Sequence, residues 1–104
     1  PVLVVKYYGS PQAVNAEKIL NGIIKSCEKR PVAMATIDDI VADISKQVYN
    51  SMESEITSKK IGEMVMDRLK TTDEVAYVRY ASVYRSFKDI SSFMAELQNM
   101  MGNK

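Results

Sequence analysis

The sequence predicts an α+β fold that is mostly α, in which a small N-terminal β-hairpin or three-stranded sheet packs on a cluster of four to five helices. β-Branched apolar residues are concentrated at residues 2–5, which is typical of a strand. Beyond residue 15, apolar residues recur at helical spacing, and a candidate N-cap residue precedes each such stretch. A chain of 104 residues suits one core, so we assign residues 1–104 to a single domain.

The N-terminal part of the chain predicts two strands followed by a helix. The strand at residues 2–5 precedes the turn signal Tyr8-Gly9-Ser10-Pro11, and residues 12–14 can form the returning strand. Asn15 is a candidate N-cap for the first helix, which we expect to end near Lys29 because a proline follows shortly. The expected inner face of this helix contains Ile19, Leu20, Ile23, Ile24 and Cys27.

The middle of the chain predicts two more helices and a third strand. Thr36 is a candidate N-cap, and Asp38 and Asp39 would suit the positive end of that helix dipole. Residues 55–57 can form a brief strand, after which Thr57 or Ser58 would cap the next helix. The expected buried faces contain Ile37, Ile40, Val41, Ile44 and Val48 in one helix, and Ile61, Met64, Val65 and Leu69 in the other.

Two helices, capped by Asp73 and Asp89, are predicted at the C-terminal end. Residues 73–87 read Asp-Glu-Val-Ala-Tyr-Val-Arg-Tyr-Ala-Ser-Val-Tyr-Arg-Ser-Phe, and a helix that is apolar nearly all round is usually buried on more than one side. Its tyrosine hydroxyls need partners in the core, in a ligand or in a second subunit. Arg79 and Arg85 are interpreted as partners for acids and helix ends. The last helix is expected to turn Ile90, Phe93, Met94 and Leu97 inward.

Composition argues against a catalytic, zinc-binding or DNA-binding role for these residues alone. The net charge of +1 provides no general attraction to nucleic acid or membrane, and no apolar run approaches the roughly 18 residues of a membrane span. Without histidine the commonest general base is missing, and one cysteine cannot hold a structural zinc ion. We interpret Cys27 as a small core residue, and the pairs Asp38–Asp39 and Glu53–Glu55 as caps and surface. The enzyme class is therefore disfavoured.

The N-terminal hairpin and the first helix form a candidate anion site. Lys6 ends the first strand, Gly9 lies in the turn, and Lys18 lies in the first turn of the helix. A lysine there opposes the helix dipole, whereas a bound phosphate would meet free backbone amides and a cation together. Solvated lysines are the ordinary alternative, and the phosphate-binding run Gly-x-x-x-x-Gly-Lys-Ser/Thr is absent from the sequence.

Five segments of the chain together suggest a family. They are Val-Val-Lys at residues 4–6, Glu-Lys-Ile at 17–19, Cys-Glu-Lys-Arg-Pro-Val at 27–32, Ile-Gly-Glu-Met-Val-Met at 61–66, and the tyrosine-rich run at 73–87. With these segments the whole chain resembles the ATP-cone domain of the NrdR family, bacterial transcriptional repressors of ribonucleotide reductase genes. The tyrosine-rich run is the part that resembles these repressors more than other ATP-cones.

The resemblance implies a cytoplasmic bacterial sensor of adenine nucleotides. ATP or dATP, with magnesium as a candidate companion ion, would bind and change a homo-oligomer, and DNA affinity would change with it. In that family a four-cysteine zinc ribbon precedes the cone and contacts DNA. Nothing in these 104 residues matches the ribbon, so zinc and DNA are expected only through a segment that this sequence does not contain. No membrane partner is implied.

The resemblance also implies a set of nucleotide-binding residues. Lys6 and Lys18 match the family's phosphate lysines, and the others match positions on the hairpin, at the starts of two helices, and at the end of the tyrosine-rich helix. The full expected set is Val4, Lys6, Tyr7, Gly9, Gln12, Asn15, Lys18, Ser58, Tyr84 and Lys88.

The hairpin departs from the family pattern, and this motivates a rival function. The family has a second cation after Lys6, where this chain has Tyr7 and Tyr8, and Gln12 is neutral. One lost charged contact to phosphate is worth about 1.5–3 kcal/mol, although Tyr7 or Tyr8 could instead stack on the base. The alternative function is a structural oligomerisation module that no longer needs nucleotide. A cone detached from a reductase fits the last forty residues poorly.

Overall fold

The computed structural model describes residues 3–5, 12–52, 55–85 and 89–102. Within them, the mostly helical α+β fold predicted from the sequence is confirmed. No helix in these ranges is long and apolar enough to cross a membrane. In chain order the elements are β1 (Leu3–Val5), β2 (Gln12–Ala13), α1 (Ala16–Ser26), α2 (Met34–Asn50), β3 (Glu55–Thr57), α3 (Ser58–Lys70), α4 (Glu74–Tyr84) and α5 (Ile90–Gly102).

The strands lie in the order β2-β1-β3. Strand β1 pairs antiparallel with β2 and parallel with β3, so that Val4 lies opposite Gln12 on one side and Ile56 on the other. The parallel pair requires a long connection, which α1 and α2 provide. Strand β3 runs directly into α3, and β2 precedes α1 by two residues. The strands thereby place the starts of α1 and α3 at the same end of the helix cluster.

The core lies between α1, α2, α3 and α4. Each of these helices repeats apolar residues on one face, and the repeats meet in the interior, as their spacing predicts. Burying each large aliphatic side chain contributes about 1.5–3 kcal/mol, so the six largest fully buried ones dominate the core. They are Ile23, Ile40, Ile44, Val65, Met66 and Leu69.

Two predicted helix boundaries are wrong. Helix α1 ends at Ser26, with Cys27 as its C-cap, rather than near Lys29. Helix α2 begins at Met34, so the prediction that Thr36 caps it is wrong. The extended backbone of Ala33 already directs its carbonyl to the Ile37 amide, and the helix therefore starts without a side-chain cap. No acid lies in its first turn, so Asp38 and Asp39 do not serve the dipole as predicted.

Helix α5 packs on only part of the predicted face: Leu97 packs against the core and Phe93 is half-buried, as predicted. Its N-cap Asp89 is as predicted, because the Asp89 carboxylate accepts a hydrogen bond from the Ser92 amide. Ile90 and Met94 were expected inward, yet they are 80% and 46% exposed. The Glu96 carboxylate faces α4, where it accepts hydrogen bonds from the Tyr77 hydroxyl and from Arg85.

Candidate functional site

The first turns of α1 and α3 are fixed by side-chain caps. The Asn15 side-chain oxygen accepts hydrogen bonds from the amides of Glu17 and Lys18, at 3.0 and 3.3 Å, as predicted for an N-cap. The sequence left Thr57 and Ser58 open as caps of α3, and the structure has Thr57, which accepts from the Lys60 amide at 3.0 Å. Ser58 is therefore the first helical residue.

A cleft of 440 Å³, here called the first cleft, lies between these two helix starts and α4. It brings together four predicted site residues, Asn15, Lys18, Ser58 and Tyr84, from three separate segments of the chain. Aliphatic side chains and a second tyrosine complete its wall. The residues that line it are Ala13, Val14, Asn15, Lys18, Ile19, Ser58, Ile61, Gly62, Tyr80 and Tyr84.

Six other residues were predicted to belong to the site, and the structure describes only two of them. Lys6, Tyr7, Gly9 and Lys88 lie outside the described residues. Val4 and Gln12 are described as strand backbone only, and they face each other across β1 and β2. The parts of the candidate site that the structure describes are therefore the two helix starts and the α4 wall.

The electrostatics at the start of α1 differ from the sequence expectation. A phosphate there was expected to meet free amides, but the Glu17 and Lys18 amides are already bound to the Asn15 side chain. Lys18 itself is exposed at the cleft. At the start of α3, helix geometry leaves the Ser58 and Lys59 amides without an intrahelical acceptor, and these lie at the positive end of a second dipole.

Two tyrosine rings form the α4 wall of the first cleft. Tyr80 and Tyr84 are stacked with ring centroids 5.9 Å apart and an angle of 21° between the planes. The Tyr84 hydroxyl donates to the Lys59 carbonyl at the start of α3, whereas the Tyr80 hydroxyl donates to no other described residue. Burial raises the pKa of both phenols, so both rings are neutral near pH 7. Tyr80 was not among the predicted site residues, although its spacing of four from Tyr84 places both on one face.

The start of α4 is held by a partly buried ion pair. The Asp73 carboxylate caps α4 by accepting from the Ala76 amide at 2.9 Å, and it accepts from Arg30 Nε at 3.0 and 3.1 Å. Its side chain is only 7% exposed. The hydrogen bonds from Arg30 and from the Ala76 amide hold the pKa of Asp73 below its usual value.

The end of α4 is tied to α3 and α5 by a polar cluster. Glu96 accepts from the Tyr77 hydroxyl at 2.7 Å and from Arg85 at 2.8 Å, and Arg85 also contacts Glu63 at 3.3 Å. Burial, followed by the hydrogen bond to Glu96, raises the pKa of Tyr77 to about 12. The interpretation of Arg85 as a partner for acids is confirmed.

A second cleft of 710 Å³ lies on the other side of the same tyrosines, beside the end of α1. Its residues are Gly22, Lys25, Ser26, Glu28, Lys29, Arg79, Tyr80, Ser82, Val83 and Tyr84. Arg79 donates to the carbonyls of Ser26 and Glu28, at 3.3 and 2.7 Å, and so satisfies acceptors where α1 ends. The interpretation of Arg79 as a partner for a helix end is also confirmed.

Comparison with known proteins decides the family. The ATP cone domain model matches residues 2–90 of the chain. The transcriptional repressor NrdR of Acetivibrio thermocellus is 55% identical over all 104 residues, which span 69% of that protein. The repressors NrdR of Alkaliphilus metalliredigens and Alkaliphilus oremlandii are 55% and 53% identical, with 67% and 68% of their lengths covered.

The chain belongs to the NrdR family. The resemblance inferred from the sequence is therefore confirmed, and the matched ATP-cone includes every residue that lines either cleft. Because NrdR proteins are transcriptional repressors and the ATP-cone is a regulatory domain, the chain is not an enzyme.

The described residues of this NrdR-family chain contain no group of three metal-binding side chains. Cys27 is buried in the core, as interpreted from the sequence, and burial raises the pKa of its thiol.

Proposed function

We propose that the chain is the adenine-nucleotide sensor of a repressor, and that ATP or dATP binds in the first cleft. The observation that carries this proposal is the convergence of Lys18, Ser58 and Tyr84 on one cleft. These residues are 40 and 26 positions apart in sequence. They supply a cation, a helix start and an aromatic surface, which are the groups that a nucleotide needs.

The two ends of the first cleft suit the two ends of a nucleotide. The phosphates would lie near Lys18 and the first amides of α3, where a cation and a helix dipole favour negative charge. The base would lie against Tyr80 and Tyr84, whose rings are neutral and partly buried. The cleft volume of 440 Å³ lies within the range of about 300–1,000 Å³ that is usual for small-ligand sites.

The residues predicted on the hairpin would complete the nucleotide site. The three short strands would form one side of the nucleotide site, with Val4 and Gln12 on its edge and Lys6, Tyr7 and Gly9 following. Lys88 would approach from the end of α4. Magnesium would accompany the phosphates without needing a protein carboxylate, because it commonly keeps most of its water ligands.

We propose that nucleotide binding controls assembly and thereby gene repression. The relatives are named as transcriptional repressors, and this chain would regulate ribonucleotide reductase genes in the bacterial cytoplasm as part of a homo-oligomer. DNA contact would come from a zinc ribbon, which is not part of these 104 residues. The structure would pass nucleotide occupancy from the first cleft through α4 to neighbouring subunits.

A second candidate is an oligomerisation module that does not need nucleotide. It is favoured by the Asn15 cap, which satisfies two amides at the start of α1 without any ligand. In this case the substitutions in the hairpin would have removed the phosphate site, and the helices would only support subunit contacts.

Thermal unfolding with and without nucleotide separates the two functions. A nucleotide that binds only the folded chain stabilises it by RT ln(1 + [L]/Kd), about 4 kcal/mol at a thousandfold excess over Kd. The sensor function predicts a higher Tm with millimolar ATP or dATP, no comparable rise with inorganic sulfate, and a change of mass in light scattering. An unchanged Tm with both nucleotides, together with a constant mass that is a multiple of one chain, would support the second candidate instead.

A further inference from the structure

Gly62 lies on α3 directly against the side chain of Tyr84, the last residue of α4. A Cβ atom added at Gly62 would lie 2.0 Å from Cε1, 2.3 Å from Cζ and 2.6 Å from Cδ1 of Tyr84. These distances are far shorter than the 3.5–4.0 Å of an ordinary carbon contact. Gly62 is buried within an ordinary helix, so the backbone conformation does not require glycine. The three atoms nearest to the added Cβ atom all belong to the Tyr84 ring.

The Tyr84 ring cannot yield to a side chain at Gly62 without losing its other contacts. Its hydroxyl is bound to the Lys59 carbonyl on α3, and its face is stacked on Tyr80. A ring held at its tip and on its face has one position, and a displaced ring would break the hydrogen bond to α3. Gly62 therefore decides where the α4 wall of the first cleft stands.

A second glycine provides the natural comparison. Gly22 on α1 also faces a tyrosine of α4, but a Cβ atom there would lie 3.7 Å from Cε2 of Tyr80, which is an ordinary contact. Both glycines lie within helices, and both line a cleft beside the same tyrosine pair. Packing requires a glycine at position 62 but has room for a side-chain methyl at position 22. Gly22→Ala is therefore a matched control.

We propose that Gly62 is a positioning residue that sets base recognition in the first cleft by placing the Tyr84 ring. This inference rests on the proposed function, because the ring recognises a base only where a nucleotide binds. Gly62 acts through the Tyr84 ring, whereas the Lys18 cation lies on a different helix, α1. A side chain at Gly62 removes the contact with the base and leaves the attraction of Lys18 for phosphate.

The test compares a ligand that has a base with one that lacks it. Stacking of one base on an aromatic side chain is worth about 1–3 kcal/mol, so Gly62→Ala should weaken ATP binding about tenfold or more in calorimetry. Inorganic tripolyphosphate, which carries no base, should bind Gly62→Ala within about threefold of the unsubstituted chain. Gly22→Ala should bind both ligands as the unsubstituted chain does. Unchanged ATP binding in Gly62→Ala, or equal weakening of both ligands, would overturn the proposal.

A double-mutant cycle tests whether Gly62 acts through Tyr84. In the Tyr84→Ala chain the ring is gone, so adding Gly62→Ala should change ATP affinity by less than about twofold. An additional tenfold loss in that background would show that Gly62 has another role and would overturn the mechanism. Circular dichroism of each variant confirms that the helices are retained before affinities are compared.

The ring position has a readout that does not depend on nucleotide. In nuclear magnetic resonance of the unsubstituted chain, the Tyr84 ring protons should show cross-relaxation to the Gly62 α protons. If this contact is present but ATP and dATP do not bind, the positioning stands and the nucleotide-sensing function fails, together with base recognition. If the contact is absent, the positioning itself is wrong, whatever the chain binds.

Discussion

The two clefts share a wall but differ in the helix ends that meet them. Tyr80 and Tyr84 line both. The first cleft lies at the starts of α1 and α3, where helix dipoles are positive, and the second lies at the end of α1, where the dipole is negative. The second cleft has more cations, yet its Arg79 is bound to the carbonyls where α1 ends.

The number of cations and the helix ends favour different clefts as an anion site. Lys25, Lys29 and Arg79 surround the second cleft, but they lie where the backbone presents carbonyl oxygens that attract them. Lys18 is a single cation, but it lies in the first turn of α1, where the positive end of the helix dipole repels it. A cation in an unfavourable helix position is the stronger sign of a bound anion.

The largest expected effect concerns the wall that both clefts share. Asp73→Ala removes the N-cap of α4, worth about 1 kcal/mol, and the charged hydrogen bonds from Arg30, worth about 2 kcal/mol more. We expect a loss of about 3 kcal/mol in the free energy of unfolding by urea. Asp89→Ala, which removes the exposed cap of α5, should cost much less. Equal losses would mean that the ion pair with Arg30 contributes nothing.

The same residue predicts a dependence on pH. The pKa of Asp73 is lowered in the folded chain, so its stabilisation is fully present above the unfolded value of about 3.9. That stabilisation is lost as the pH falls from the unfolded value through the lower folded value. Asp73→Asn keeps an oxygen for the cap but cannot titrate, and its stability should fall less steeply below about pH 4. Parallel acid transitions in the two proteins would contradict this assignment.

The next largest effect separates the two clefts directly. Lys18→Ala should weaken ATP binding about tenfold or more, because a charged contact to phosphate is worth about 1.5–3 kcal/mol. Lys25→Ala removes a lysine from the same helix beside the second cleft and should leave ATP binding unchanged. Isothermal calorimetry of both variants at one ionic strength gives the comparison. A larger loss in Lys25→Ala would transfer the anion site to the second cleft.

The smallest effect tests whether Arg79 serves the helix end. Arg79→Met keeps the aliphatic stem but removes the donors to Ser26 and Glu28, which should cost about 1 kcal/mol of stability. ATP binding should not change. Thermal unfolding measures the first effect and calorimetry the second. Weaker ATP binding without a loss of stability would show that Arg79 belongs to a ligand site.

Local sequence signals predicted the helices and most of their caps. Asn15, Asp73 and Asp89 cap helices where their short polar side chains suggested. The start of α2 was missed because Ala33 starts the helix through its backbone alone, which leaves no side-chain signal. Ile90 and Met94 were wrongly placed inward, since apolar spacing carries no signal of polar contacts such as those of Glu96 with α4.

Only part of the candidate site could be predicted from the sequence. Lys18 had a local signal, a cation opposing the dipole, but Ser58 and Tyr84 entered through the family resemblance. The contact of Gly62 with Tyr84 joins residues 22 positions apart, and no periodicity within one helix encodes it. Tertiary packing alone creates that contact, and with it the wall between the clefts.

Tyr80 and Tyr84 can link the binding free energies of the two clefts, because they line both. Their rings are stacked on each other, and the Tyr84 ring is held by its hydrogen bond to α3. A ligand in the second cleft that required another ring position would break these contacts. Its free energy of binding would then depend on whether the first cleft is filled, by an equal amount in both directions.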